Sequence, residues 1–136
     1  MDIVSSAARS RMMRGIRSKN TKPELVVRSA AHALGLRFRL HDRKLPGTPD
    51  LVFRKHRVVV FVHGCFWHRH ACSLAAMPKT RTKFWVKKFD ANCHRDARKR
   101  AELEGLGWRV LEIWECETRR PELVTARLAG FFEVPL

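Results

Sequence analysis

Residues 50–63 of the chain read DLVFRKHRVVVFVH. This stretch holds two short runs rich in β-branched and aromatic residues, Asp50 to Arg54 and Arg57 to His63, which is typical of neighbouring strands. Leu36 to Leu40 is a similar run, and the turn sequence PGTP at residues 46–49 separates it from Asp50. The segment therefore predicts three consecutive strands.

A helical pattern precedes these strands. Thr21 and Glu24 match a capping box, in which each side chain accepts a hydrogen bond from the other residue's backbone amide. Apolar residues then continue at helical spacing until Gly35. We therefore predict a helix over residues 22–34.

Two more helical patterns and a strand follow. The longest helical candidate, residues 81–104, ends before Gly105. Its apolar residues lie at steps of four: Trp85, Phe89, Cys93, Ala97 and Ala101. We predict a strand from Trp108 to Trp114 and a last helix from Pro121 to Phe132. The order α-β-β-β-α-β-α indicates an α/β fold around one core.

Basic residues greatly outnumber acidic ones, with 28 Lys and Arg against 13 Asp and Glu and a net charge of +15. Such an excess destabilises a compact chain by self-repulsion unless a polyanion binds it, so nucleic acid is the leading partner. A membrane surface is the alternative, but no apolar run is long enough to span and no basic helix has a clean apolar face. Without a signal-peptide pattern, we expect a soluble, cytoplasmic protein.

The length of 136 residues suits one domain over residues 21–136, preceded by a basic arm over residues 1–20. Residues 9–22 carry six basic residues, Arg14 among them, and no acidic one. A bare charge run can be a solvated tail, but the interleaved apolar residues, including Met13, favour an arm that lies on DNA.

Three histidines and two cysteines fall within the sequence VHGCFWHRHAC at residues 62–72. Without an export signal, metal binding is a better explanation of such a cluster than disulfides, and zinc takes four ligands of these types. The loop offers three candidates: Cys65, His70 and Cys72. Cys116, at the end of the last strand, is favoured as the fourth over Cys93, which we interpret as a small buried hydrophobe. Zinc held by four protein ligands would be structural; the alternative is that these are reduced core cysteines.

Asp50 opens a core strand directly after a turn, where a carboxylate can hold a hard cation such as magnesium. A lone Asp after Pro is more often a turn residue, so Asp50 alone is a weak signal. His63 and His68 remain once zinc has taken His70, and a neutral imidazole can act as a general base. The coexistence of this carboxylate with two spare histidines favours catalysis on DNA over binding alone.

Four ordered sequence blocks resemble the very-short-patch-repair (Vsr) family of mismatch nucleases. The blocks are LPGTPDLV at 45–52, FVHGCFWHRHAC at 61–72, TRTKFW at 80–85 and GWRVLEIWEC at 107–116. The resemblance implies a restriction-endonuclease-like core, with a mixed central sheet flanked by helices and a structural zinc site. It also implies that the chain nicks double-stranded DNA on the 5′ side of the thymine in a T:G mismatch left by 5-methylcytosine deamination. Magnesium would be the catalytic ion.

The resemblance also implies roles for individual residues. Asp50 and the backbone carbonyl of Val62 would bind magnesium, His68 would be the general base, and His63 would lie in the metal's hydration shell. Four residues match the family's zinc ligands, which supports Cys116 over Cys93: Cys65, His70, Cys72 and Cys116. Glu24 matches a helix-borne acid near the metal, although the capping box explains it equally well.

Aromatic residues of the chain match those that enter the base stack beside the mismatch in this family. They are Phe66, Trp67 and Trp85, and Met13 matches a residue inserted from the other groove. Because a mismatched step resists unstacking less, insertion itself would discriminate mismatched from paired DNA. The alternative for Trp85 is a core anchor.

The chain departs from the expected pattern over residues 57–63. Val62 stands where a known member has Thr, and the second acid and the lysine usual in restriction-like folds are absent from residues 57–63. Two other functions therefore stay open: a non-catalytic zinc-stabilised DNA-binding module, and a restriction-type endonuclease on paired DNA. Mismatch-repair factors are possible further partners, and we expect a monomer because a mismatch is asymmetric.

Overall fold

The computed structural model describes residues 20–65 and 78–136. The helices within them are α1 (Lys22–Ala33), α2 (Thr82–Gly105), α3 (Glu115–Thr118) and α4 (Pro121–Phe132). The strands are β1 (Arg39–Leu40), β2 (Leu51–Phe53), β3 (Val58–His63) and β4 (Arg109–Trp114), with a 3-10 turn over Arg54–His56. This is the predicted order with the short helix α3 and the 3-10 turn added. In the described part of the chain, no helix is long and apolar enough to cross a membrane.

The four strands form one mixed sheet in the order β1-β2-β3-β4. β2 is antiparallel to both β1 and β3, whereas β3 and β4 are parallel. A parallel pair needs a long crossover connection, and α2 lies in the connection between β3 and β4. The mixed sheet with flanking helices agrees with the predicted endonuclease-like core.

Hydrophobic clusters cover both faces of the sheet, because side chains alternate along each strand. On one face, Val58 and Val60 of β3 pack with apolar residues of α1 and α4. On the other face, Val59 packs with Val52, and the cluster extends to Leu103 of α2. Complete burial of such side chains stabilises the fold by about 1.5–3 kcal/mol each.

Two sequence predictions were wrong in detail. The strand predicted over residues 36–40 is only Arg39–Leu40, because Leu36 is drawn into the core below α1. The predicted apolar stripe of α2 is buried at Phe89 but exposed at Cys93 and beyond it at alanines 97 and 101. The last turn of α2 contacts the hydrophobic cluster of Val52 and Val59, where Leu103 is buried. The middle of the helix can therefore stay exposed to solvent.

Candidate active site

Asp50 lies directly before β2, at the end of the LPGTP turn. Gly47 in that turn has φ +77°, and a Cβ there would lie 3.1 Å from Lys99 Cβ and 3.2 Å from the Phe61 ring. Glycine lets the turn pack this closely on β3 and α2. Asp50 Oδ2 then accepts the backbone N–H of Val62 at 2.7 Å. These contacts place the carboxylate beside the end of β3.

His41 comes to the same place through the β1–β2 hairpin. Leu40 pairs with Leu51, so one further step sets His41 beside Asp50, and the His41 backbone N–H donates to the Asp50 carbonyl at 3.2 Å. The His41 ring follows, with Nε2 at 3.9 Å from Asp50 Oδ1. Sequence reasoning missed His41 because the predicted strand stopped at Leu40; the hairpin register is the signal that identifies it.

Glu24 reaches this point from the first turn of α1 and is only 5 % exposed. Its Oε2 accepts hydrogen bonds from His41 Nε2 at 3.0 Å, from Arg28 Nη2 at 2.9 Å and from the Asn20 backbone at 3.0 Å. Thr21 Oγ1 accepts the Glu24 backbone N–H at 3.4 Å, as the capping box predicts. The reciprocal bond comes from Asn20 rather than Thr21, because the Glu24 carboxylate turns towards His41. Glu24 therefore takes part in both the helix start and the cluster.

The distances in this cluster fit a divalent cation. Among the described residues, Glu24, His41 and Asp50 each offer a ligand atom, and these atoms lie within 4.8 Å of one another. At the Mg²⁺–oxygen distance of about 2.0–2.1 Å, adjacent octahedral ligands are about 3 Å apart and opposite ones about 4.2 Å. The 3.9 Å between His41 Nε2 and Asp50 Oδ1 lies between these two values, whereas the 3.0 Å between His41 Nε2 and Glu24 Oε2 is the hydrogen bond described above.

Val62 and His63 end β3 and face different neighbours. The N–H and C=O of one strand residue point to the same side, so the Val62 carbonyl faces the side on which Val62 N–H binds Asp50. The magnesium role of this carbonyl stays a prediction. His63 is buried on β3, with its ring centroid 4.9 Å from that of Trp114 on β4.

Glu112 of β4 faces His63 and was not identified from the sequence. The distance from His63 Nε2 to Glu112 Oε1 is 3.8 Å, and Arg100 Nη1 lies 3.3 Å from the same oxygen. Hydrogen bonding by His63 lowers the pKa of Glu112 most, burial opposes this, and the charges of His63 and Arg100 lower the pKa further. The contact is long for a direct hydrogen bond, so we attribute much of the attraction to charge.

Two of the four predicted zinc ligands are described, and they meet. Cys65 follows β3 and Cys116 lies in α3 after β4, and the Cys116 backbone N–H donates to Cys65 Sγ at 3.4 Å. Glu115 Oε1 accepts the Cys65 N–H at 3.3 Å, which holds the two segments together. Cys93 is exposed on α2, so its interpretation as a buried hydrophobe was wrong.

Trp85 lies in the first turn of α2 and is half-buried. Its ring stacks on Phe89 with centroids 5.6 Å apart, while the neighbouring Phe84 is 44 % exposed. The Arg81 guanidinium lies 4.4 Å from the Phe84 ring centroid, so a cation and open aromatic rings share this end of the helix. Trp85 thus combines a core contact with a partly open face. The other predicted site residues lie outside the described residues: Met13, Arg14, Phe66, Trp67, His68, His70 and Cys72.

Comparison with known proteins identifies the family. Residues 1–74 match the family model of the DNA mismatch endonuclease Vsr. The type II nicking enzyme V.XorIIP of Xanthomonas oryzae pv. oryzae is 48% identical over 132 residues, which cover 97% of both chains. The DNA mismatch endonuclease Vsr of Escherichia coli is 46% identical over 124 residues, covering 91% of this chain and 80% of its own. The chain therefore belongs to the Vsr family of DNA mismatch endonucleases.

Proposed function

We propose that this chain nicks double-stranded DNA on the 5′ side of the thymine in a T:G mismatch, by magnesium-dependent hydrolysis, and so starts very short patch repair. The observation that carries this proposal is the convergence of Glu24, His41 and Asp50 at one edge of the sheet. The net charge of +15 supplies attraction for the DNA backbone. The similarity to the mismatch endonuclease of E. coli supports the same substrate class.

Asp50 is the residue on which the reaction depends. Its carboxylate and the Val62 carbonyl would hold magnesium, which when bound would neutralise charge developing on the phosphate and the leaving oxygen. The Val62 N–H fixes Asp50 Oδ2, and Oδ1 lies on the side of His41. His68 is proposed to accept the proton of the attacking water, and His63 to orient water near the ion.

Selectivity for a mismatch would come from the aromatic residues. Phe66, Trp67 and Trp85 are proposed to enter the base stack, while Met13 and Arg14 of the arm contact the other groove. Zinc bound by Cys65, His70, Cys72 and Cys116 would hold the loop that carries Phe66, Trp67 and His68. Unstacking costs a few kcal/mol per step and is cheapest at a mismatch, so a fixed wedge favours mismatched DNA.

The test uses zinc-loaded protein, magnesium and end-labelled duplexes that are identical except for one T:G mismatch. Asp50→Asn removes the carboxylate charge but keeps the side-chain shape, and Asp90→Asn on the exposed surface of α2 is the matched control. We expect one nick, 5′ of the mismatched thymine. Asp50→Asn should slow it at least about 1,000-fold, which corresponds to about 4 kcal/mol, while Asp90→Asn should not.

Each alternative function has its own outcome in this assay. Equal cutting of mismatched and paired duplexes would indicate a restriction-type endonuclease. Tight binding of both duplexes without any cutting would indicate a zinc-stabilised DNA-binding module. Retention of nicking by Asp50→Asn would contradict the assigned metal carboxylate.

A further inference from the structure

The proposed function gives no task to His41, which shares the cluster with Glu24 and Asp50. Its side chain is about nine-tenths buried, at 10% exposure. The ring nitrogen Nε2 lies between two carboxylates, 3.0 Å from Glu24 Oε2 and 3.9 Å from Asp50 Oδ1. A buried imidazole that faces two carboxylates has the composition of a mixed nitrogen and oxygen metal site.

The chain holds this ring in place from several sides. His41 has φ +47°, a left-handed backbone conformation that residues with a Cβ rarely adopt. The bond from His41 N–H to the Asp50 carbonyl fixes the backbone. Arg28 and the Asn20 backbone fix Glu24 Oε2, which in turn holds the ring nitrogen. The position of Nε2 is therefore determined by neighbours on both α1 and β2.

We propose that His41 Nε2 binds the divalent cation directly, beside Asp50 Oδ1, and that the site therefore favours Mn²⁺ over Mg²⁺. This inference rests on the proposed function, because the ion is the one used for nicking. Mg²⁺ prefers oxygen ligands, whereas an imidazole nitrogen strengthens binding of transition metals. Glu24 holds the ring only while the ion is absent, through its bond to Nε2, and Arg28 and Asn20 remain the partners of its Oε2 when the ion replaces that bond.

Binding needs a change of tautomer but no loss of a proton. In the structure as described, Nε2 donates to Glu24, because an ionised carboxylate only accepts. When the ion binds, the proton is on Nδ1 and the Nε2 lone pair faces the metal. A purely positioning role differs from this: Nε2 would keep its proton, donate it to Glu24, and leave only oxygen atoms on the ion.

Pulsed electron paramagnetic resonance of Mn²⁺ bound to the full-length, zinc-loaded protein separates the two roles, because a coordinated imidazole nitrogen modulates the electron spin echo. We expect nitrogen modulation in the wild type and in His63→Gln, and its loss in His41→Gln. The Kd for Mn²⁺ should rise at least about tenfold in His41→Gln, with a smaller change for Mg²⁺. Circular dichroism checks folding, and His41→Asn, whose amide can still donate to Glu24, is the second variant.

Several results would overturn the inference: no nitrogen modulation in the wild type, no Mn²⁺ binding, or modulation lost in His63→Gln but kept in His41→Gln. The nicking assay on the same preparations keeps the two proposals separate. Nicking of the T:G duplex without a nitrogen signal would retain the proposed function and reject His41 as a ligand. A nitrogen signal without nicking would retain His41 as a ligand and reject the proposed function.

Discussion

The antiparallel half of the sheet, β1–β2, and the parallel half, β3–β4, hold their candidate sites together by different interactions. In the antiparallel half, the β1–β2 hairpin sets His41 beside Asp50, and Glu24 joins them through hydrogen bonds to charged groups. In the parallel half, Cys65 and Cys116 are 51 residues apart and meet through a 3.4 Å N–H···S contact. Hydrogen bonds to charged groups stabilise a folded structure more than a hydrogen bond to a weak sulfur acceptor does. We therefore expect the first half to keep its geometry without an ion and the second to depend on zinc.

The largest effect should follow removal of a proposed zinc ligand from the parallel half. We expect Cys116→Ser to lose stoichiometric zinc and at least about 3 kcal/mol of unfolding free energy, since binding of a structural ion is part of the folding energy. Zinc content by atomic emission and urea denaturation measure both. Cys93→Ser, at an exposed position of α2, is the matched control and should change neither. Zinc lost in Cys93→Ser and kept in Cys116→Ser would reverse the ligand assignment.

A smaller effect is expected at Glu24 in the antiparallel half. Glu24→Gln leaves Arg28 without its carboxylate, so we expect a loss of about 2 kcal/mol of unfolding free energy. If Glu24 serves the cluster as well as the helix, affinity for Mn²⁺ should also fall, as calorimetric titration would show. Thr21→Ala removes the other half of the cap and should cost about 1 kcal/mol without changing metal affinity. Equal metal affinity in the two variants would mean that Glu24 serves only to cap the helix.

The two halves also differ in how far the sequence predicted them. Periodicity and turn residues predicted the helices and strands, including Lys22–Ala33 and Pro121–Phe132 with nearly the observed bounds. Cys116 was expected beside the loop that begins at Cys65 if the last strand joined the sheet, and the two residues are in contact. The helices and strands depend on local pattern, which a single sequence carries, whereas the parallel pairing of β3 and β4 was not predicted.

His41 and Glu112 were missed because their roles depend on register and on side-chain direction. A shift of one residue in the β1–β2 pairing would move His41 away from Asp50. The sequence of the two strands does not by itself show which of these registers forms. Glu112 stands in an apolar strand, where only the structure shows His63 and Arg100 beside it. The prediction that the middle of α2 is buried was wrong for a related reason. The spacing of apolar residues along a helix does not show how much of that helix contacts the sheet.

The smallest expected effect tests the charge contacts that support the parallel half. The pKa of Glu112 is lowered from 4.5 in the folded chain, mainly by His63, so the unfolded chain binds more protons near that pH. The stabilisation by this group is therefore complete above about pH 4.5 and is lost as the pH falls through the lowered folded value.

The Glu112→Gln variant carries no titratable group at this position. We expect it to reduce the unfolding free energy by about 1 kcal/mol or less at neutral pH, and the difference from wild type should shrink below about pH 4.5. Urea denaturation from about pH 7 down to about pH 3 measures this difference. The variant and the wild type keep the same proposed zinc ligands, so loss of the proposed zinc in acid would cancel in the comparison. A constant difference between Glu112→Gln and wild type across this pH range would mean that His63 and Arg100 do not stabilise the Glu112 carboxylate.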